Sequence, residues 1–408
     1  MPNFLTRDLE IMFEKLVEDF EASCVISREA TTSYPDAKAM QRSNDVFYRP
    51  QNFRFSIVPG VDITAQADTD LIQRQVPTVF RTPDNARYSI NILENRDPLV
   101  MERAGSAMGQ HLAAQIDANL YATVAQQASI VVRKVGLLTW DDVGRAEAQL
   151  ISRGGDSLGG RKLFMNPFDY AEITRDLGNR AYLGDVSKDA YSRSKVPDLA
   201  TFKTFRTDNL SNLIAVGTVT GTTVTANSAF VPSAMTGDLP TDNRRMTLGV
   251  SGVNIANTKN GDAFTIAGVN AVHNIDKSDT GQPMTFRIIS GGGTASPVIT
   301  PAIIAVGPYR NVSAQAAATA AITFLNTVTR GVNAFWSEGA VALDFGSTQW
   351  ESDSGVKVMT ATTKQGVPIA MGYSQGLMNG LLQVRAVTRY ATTGLDPERC
   401  GIIIGSQT

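Results

Sequence analysis

The 408-residue chain is poor in the side chains that carry chemistry. It has two cysteines, Cys24 and Cys400, near opposite ends, and two histidines, His111 and His273. Thiols so far apart make no disulfide framework and no spaced metal motif, so reduced cysteines are expected. Gly154, Gly155, Gly159 and Gly160 are followed by no Gly-Lys-Ser/Thr step, and the cluster reads as a flexible loop rather than a phosphate cradle. Excess charge is missing too. Lys plus Arg (37) nearly balances Asp plus Glu (39), which removes the global field that bulk binding of DNA or acidic lipid requires. No run approaches the about 18 apolar residues needed to cross a bilayer. From Arg7 onward charge interrupts the N-terminal stretch, so no export signal is expected there. The expectation is a soluble protein made in a cytosol, without a membrane partner.

Two serine motifs need partners that the chain does not supply. Gly372 to Gly376 spell G-x-S-x-G around Ser374, but that arrangement calls for a histidine later in the chain, and none follows His273. Gly155-Asp156-Ser157-Leu158 matches the hallmark of another esterase family, whose base lies in a late D-x-x-H; here Asn270 stands where that aspartate would be. A serine hydrolase using Ser374 or Ser157 is the alternative from another function class. His111 has no second ligand at i+4 and reads as a packed or interface histidine. Asp141 and Asp142 fall in a first helical turn, where the helix dipole accounts for them. No catalytic, metal-binding or cofactor-binding residue is assigned.

What is present is pattern. Over residues 5–21, Leu9, Met12, Phe13, Leu16, Val17 and Phe20 repeat at helical spacing, with Asp8, Glu10, Glu14, Glu18, Asp19 and Glu21 elsewhere on the surface. Glu14, Glu18 and Asp19 are candidates for docking a partner. Residues 27–97 show no sustained helical period; Pro35, Pro50, Pro59, Pro77 and Pro83 punctuate short extended pieces such as "NFRFSIV" and "RYSINIL". Such a long extended region is expected to find partners outside its own domain. Asp97-Pro98 then opens a helix whose face is Met101, Gly105, Met108, Leu112, Ile116, Leu120 and Val124. About 30 residues of helix would span roughly 45 Å. Thr139 with Asp142 forms a capping box for a second helix stopping near Gly154, and Asn166-Pro167 opens a third ending at Gly178. From 212 to 325 short strands take over: "LIAVGTVTGTTVTA", "RMTLGV", "DAFTIAGV" and "MTFRIIS". They predict an antiparallel barrel or sandwich. In "KNGDAFTIAGVNAV" Phe264 and Ile266 share a face and Gly268 breaks the run. Helical and strand signals resume after 325 ("AVALDF", "GLLQVRAVTRYAT", "GIIIG"), so the β block reads as an insertion in a mixed α/β unit.

These features, together with "MQRSNDVFYRP" (40–50), "NPFDYAEITRDLGNRAYLGDVSKDAY" (166–191), "KNGDAFTIAGVNAV", "NAFWSEGAVAL" (333–343) and the ending "RYATTGLDPERCGIIIGSQ", resemble the major capsid proteins of tailed bacteriophages with the Hong Kong 97 fold. Within them the chain is similar to the coat protein family of the short-tailed Salmonella phage P-twenty-two. The resemblance implies an α+β fold with an N-terminal arm (1–45) and an extended loop (46–97). A spine helix, peripheral domain and first part of the axial domain follow (98–211), then an inserted antiparallel β-barrel (212–325) and the remainder (326–408). It implies an icosahedral shell of hexamers and pentamers, assembled in the host cytoplasm on a scaffolding protein, with a portal, and expanding as double-stranded DNA is enclosed without sequence-specific binding. An encapsulin-like compartment is the alternative within the same fold. Some members of the wider fold crosslink subunits through a lysine of the extended loop. This chain has no lysine between Lys38 and Lys134, so no crosslink is expected. It has Arg42, Arg49, Arg54, Arg74, Arg81, Arg87 and Arg96 instead, whose planar forks suit a neighbour's carboxylates.

Overall fold

The computed structural model describes residues 5–33, 46–55, 57, 60–62, 64, 71–91, 98–154, 160–180, 184, 189, 193–194, 196–208, 211–346, 356–376 and 380–408. The chain divides into two compact units: Met1–Phe47, Thr78–Leu120 and Ala342–Thr393 form the first, and Tyr48–Pro77, Tyr121–Val341 and Gly394–Thr408 the second.

In the first unit, helix α1 (Leu5–Ser23) and the opening part of helix α2 (Pro98–Gln127) cover one face of a sheet. The sheet runs Lys357–Thr362, Pro368–Gln375, Leu381–Thr388, Asp84–Asn91, antiparallel throughout. Leu9, Met12, Leu16 and Phe20 of α1 are wholly buried, as are Met101 and Ile116 of α2. Such side chains contribute roughly 1.5–3 kcal/mol each relative to exposure. All the α2 residues expected on one face are buried. Gly105 is part of that face for a steric reason. A Cβ there would stand 2.3 Å from the Met12 carbonyl oxygen, and one on Gly109 would stand 2.4 Å from that of Leu16. One turn of glycine spacing therefore lets the α1 backbone lie directly on α2. The turn after α1 is fixed by Asp117 of α2, which is 2% exposed and accepts the N–H groups of Val25 (2.8 Å), Ile26 (3.0 Å) and Ser27 (2.8 Å).

In the second unit a five-stranded mixed sheet has the order Ile130–Val135, Cys400–Gln407, Asn333–Trp336, Lys162–Met165, Lys203–Arg206. Its central strands Asn333–Trp336 and Cys400–Gln407 are buried along almost their whole length. Helices α3 (Trp140–Ser152) and α4 (Pro167–Gly178) pack on it through Val143, Ala146, Leu150, Ile173 and Leu177. The Thr139–Asp142 capping box forms, and the Asn166 side chain accepts the Phe168 N–H at 2.9 Å.

The chain enters and leaves the β-rich stretch side by side, Asn212–Leu213 pairing antiparallel with Arg330–Gly331. Within it the strands Met246–Thr247, Val298–Thr300, Asp279–Ser290, Ala263–Val272 and Ile322–Phe324 form one antiparallel sheet. Phe264 and Ile266 are buried on a common face; Gly268, at φ +77°, lies where the register shifts between Thr265 and Asn270. The expected barrel is not confirmed: among the described residues no sheet closes all the way round, although Thr223 bridges Ala321 beside one outer strand and Val250 pairs with Val224 beside the other. The extended piece "NFRFSIV" joins no sheet through its described residues. Residues 52–55 and 57 form no strand, and the ribbon pairs instead through Val46–Pro50 and Gln75–Val79.

The glycine seam yields a paired prediction. Gly105→Ala or Gly109→Ala forces α1 and α2 apart and lowers the unfolding free energy by about 1–3 kcal/mol, the usual cost of overpacking. Gly144→Ala, where an added Cβ meets nothing within 4 Å, raises it by about 0.5–1 kcal/mol. Urea unfolding of the three variants checks this, and equal effects at all three positions contradict it.

Candidate assembly surfaces

The acidic helix keeps its charge outward. Glu14 is exposed, as is Glu18, which pairs with Lys15 at 3.0 Å. Asp19 is half-buried, 3.4 Å from Lys15, and its carboxyl is held below its ordinary value by a hydrogen bond from Ser106 and by Lys15. These are solvent-screened interactions worth little to stability. Their consequence is a ridge of carboxylates on a helix whose other side is locked into the core.

The ribbon of residues 48–77 is anchored near both of its ends. Near one end the Gln51 side chain donates to the Leu395 carbonyl. Arg54 donates to Glu398 (2.9 Å) and Asn274 (2.8 Å) and lies 3.7 Å from Asp396. At the other end Arg74, 8% exposed, lies 4.3 Å over the Tyr309 ring. Glu398 also accepts from Asn311 at 2.7 Å. Burial alone would push this carboxyl up, but Arg54, Asn311 and Arg74 hold it down at about 2. The surplus of cations shows in the neighbours: burial and the nearby Arg54 push the Lys277 ammonium down to about 8 and lower Arg74 as well. Between the stems, Phe55 (69%), Ile57 (82%), Val61 (108%) and Leu71 (59%) face solvent.

Of the arginines singled out in the sequence, Arg54 and Arg74 are thus engaged by their own chain. Arg49 is half-buried, Arg81 and Arg87 are exposed, and Arg42 and Arg96 lie outside the described residues. Sequence reading missed Glu398, whose role needs a ribbon arginine more than 340 positions away.

It also missed Arg287, although a charge within the apolar run "MTFRIIS" was a visible signal. Arg287 is 0% exposed and donates to the carbonyls of Gly261 (2.9 Å) and, in the last turn of α2, Ala125 (2.6 Å). A cation suits that end of a helix. Burial nevertheless pushes its guanidinium down to about 10. Arg153 bridges Ser129 Oγ (3.2 Å) and Thr285 Oγ1 (3.3 Å). At the base of the strand, Asn326 ties Asp262 (2.8 Å) to the Ile214 carbonyl (2.8 Å). The "KNGD" turn is closed locally: Asp262 accepts the Lys259 N–H at 2.7 Å, and the turn presents the Gly261 carbonyl to Arg287.

Among the described residues no constellation for chemistry assembles. Ser374 lies within the strand Pro368–Gln375, not on a sharp strand-to-helix turn, and Ser157 lies outside the described residues. His111 is exposed on α2, and His273 pairs with Asp276 at 2.9 Å. Both cysteines are free and buried, with the Cys24 thiol pushed up by burial to about 12. Among the described residues no cluster of metal ligands occurs, and no helix is long and apolar enough to cross a membrane.

Glu398 gives a prediction with a definite sign. A carboxyl whose folded value is depressed from 4.5 to about 2 stabilises the fold fully above the unfolded value and loses that contribution as pH falls between the two. Glu398→Gln therefore costs about 3–5 kcal/mol at neutral pH, where it leaves Arg54 buried without its carboxylate, and the difference from wild type shrinks below about pH 4.5. Urea unfolding of unassembled subunits from pH 7 to 2.5 measures it. A pH-independent difference contradicts the assignment.

The chain is similar to the capsid protein of the cyanophage P-SCSP1u (10% identity, covering 94% of this chain and 89% of that one, TM-score 0.48). It is similar to the virus-like particle protein of Pyrococcus furiosus (8% identity, 97% and 98% covered, TM-score 0.40). The CUS-3 coat protein I-domain matches at 39% identity over 27% of this chain and 99% of that domain, with a TM-score of 0.22. A family model described as P22 coat protein, gene protein 5, matches residues 3–405, so this chain belongs to the P22 coat protein family: it is a major capsid protein of a bacteriophage, not an enzyme.

Proposed function

We propose that this coat protein assembles in the host cytoplasm, on a scaffolding protein, into a precursor shell of hexamers and pentamers that expands when double-stranded DNA enters through a portal. The observation that carries the reading is the ribbon, with braced stems and a stretch that leaves Phe55, Ile57, Val61 and Leu71 in solvent. Large apolar side chains held outward on an anchored segment mark an interaction surface, and in a shell the available partner is another copy. The segments 1–45, 46–97, 98–211, 212–325 and 326–408 serve as arm, loop, spine with peripheral and first axial parts, insertion and remainder. Arg42, Arg49, Arg81 and Arg87 reach carboxylates of neighbours, while Arg54 and Arg74 act by bracing the ribbon that carries the contact. Glu14, Glu18 and Asp19 dock a basic segment of the scaffold or of an adjacent subunit. The DNA is enclosed without sequence readout, as the balanced charge of the chain suits.

Negative-stain microscopy of the expressed chain, with and without co-expressed scaffold, tests this. Hollow shells with scaffold are expected; a monomer under both conditions contradicts it. Shells boiled in detergent run as a single monomer band, for want of a ribbon lysine, and a covalent ladder refutes that part. Scaffold binding weakens as salt is raised, as screening of a charge-driven contact requires.

A further inference from the structure

A small cavity of about 150 Å³ opens at the base of the β-rich stretch, where the last turn of α2, the entry strand Asn212–Leu213 and the turn 259–262 meet, all within the second unit. Arg287 lines its floor and is wholly buried. Two edges of that guanidinium are engaged by uncharged acceptors, Nε by the Gly261 carbonyl and Nη2 by that of Ala125. Its Nη1 is buried and has no hydrogen-bonding partner among the described residues. A buried charged donor without an acceptor is costly to keep. That edge therefore gains from any acceptor that the cavity admits.

The rim supplies further donors. Lys259 and Asn260 are exposed there, and the Asn260 amide is oriented: its oxygen takes the Gly292 N–H at 3.0 Å, which leaves its nitrogen to donate. Ser211 adds a hydroxyl. Among the described lining residues there is one carboxylate, that of Asp262, and both of its oxygens are already engaged. One accepts the Lys259 N–H at 2.7 Å, the other the Asn326 side chain at 2.8 Å. Asn209 and Leu210, which precede Ser211 and lie outside the described residues, bring no charge. With Arg287 and Lys259 set against Asp262, the lining carries one positive charge in excess.

We propose that this cavity binds one free phosphate ion, with Arg287 at its floor and Lys259, Asn260 and Ser211 at its mouth. A tetrahedral oxyanion offers acceptors in several directions at once, as donors arriving from separate segments require, and guanidinium and ammonium groups are the side chains that bind it. A water molecule would serve Nη1 alone; the excess charge and the rim donors favour an anion. Bound there, the ion ties the end of α2, the entry strand and the turn 259–262 to one another. The site lies within a single subunit, so the inference does not depend on the shell reading.

Calorimetric titration of unassembled subunits with inorganic phosphate, at fixed ionic strength in chloride, tests it together with thermal unfolding over the same concentrations. One ion per chain is expected, and a melting temperature that rises with the logarithm of phosphate concentration above Kd, as binding to the folded state alone requires. Lys259→Gln removes the rim cation. Asn260→Asp keeps an acceptor for the Gly292 N–H but sets a carboxylate at the mouth. Each is expected to weaken phosphate binding by about tenfold or more, the loss of a charge-assisted hydrogen bond. Both change exposed side chains and leave Arg287 on its two carbonyls, so the fold is kept. Acetate, standing in for a carboxylate side chain, is expected to bind more weakly than phosphate. The proposal is overturned if titration shows no binding, or if both variants keep wild-type affinity. It is also overturned if all three proteins gain the same stability in simple proportion to phosphate, the mark of an ion excluded from the surface. Acetate binding more tightly than phosphate gives the cavity to a carboxylate and overturns the assignment too.

Discussion

Fully burying a large aliphatic or aromatic side chain is worth roughly 1.5–3 kcal/mol, and the ribbon leaves four of them in water while its stems are held in place. That imbalance organises the rest. The stem contacts are expensive ones: Arg54 and Glu398 are taken out of solvent together, with Arg74 stacked on Tyr309 beside them. Buried ion pairs are weak evidence for net stability, but removing one partner is costly. Their effect here is to fix the direction in which Phe55, Ile57, Val61 and Leu71 are offered. A segment without such anchors would collapse onto its own chain; with them, its apolar side chains gain most from a surface supplied by another molecule.

The same logic, by different means, governs the first unit. Gly105 and Gly109 admit the backbone of α1 onto α2, and Asp117 gathers three N–H groups where α1 ends. The helix is thereby held by main-chain proximity and by a charged acceptor, and its outer carboxylates contribute almost nothing to keeping it there. Glu14 and Glu18 stand at the surface, Glu18 beside Lys15. On this helix the side chains that help the subunit least are the ones turned outward.

The helices were legible because their signals are local. Caps at Thr139 and Asn166, proline at the first turn, and a periodic stripe along 101–124 placed α2, α3 and α4 within a residue or two of where they stand. Gly105 was legible as a member of the stripe but not as a point of backbone contact, since that depends on α1 arriving opposite it. Phe264, Ile266 and Gly268 behaved as their spacing indicated, whereas barrel closure depends on how far edge strands extend, which composition does not encode. "NFRFSIV" is extended in its pattern, but its described residues join no sheet. Asp117, Arg287 and Glu398 were missed for one reason: each derives its role from partners 90 or more positions away. Of these, only Arg287 left a trace in its own neighbourhood, as a lone charge inside an apolar strand.

The central claim is that the ribbon is incomplete in one subunit and completed by its neighbours. Hydrogen exchange of residues 51–74, compared between free subunits and purified shells, tests it most directly. The account predicts fast exchange across the exposed stretch in the free subunit and strong protection in the shell, with Arg54 and Arg74 at the stems changing less. Equal protection in both states would contradict it, because the ribbon would then already be buried against its own chain.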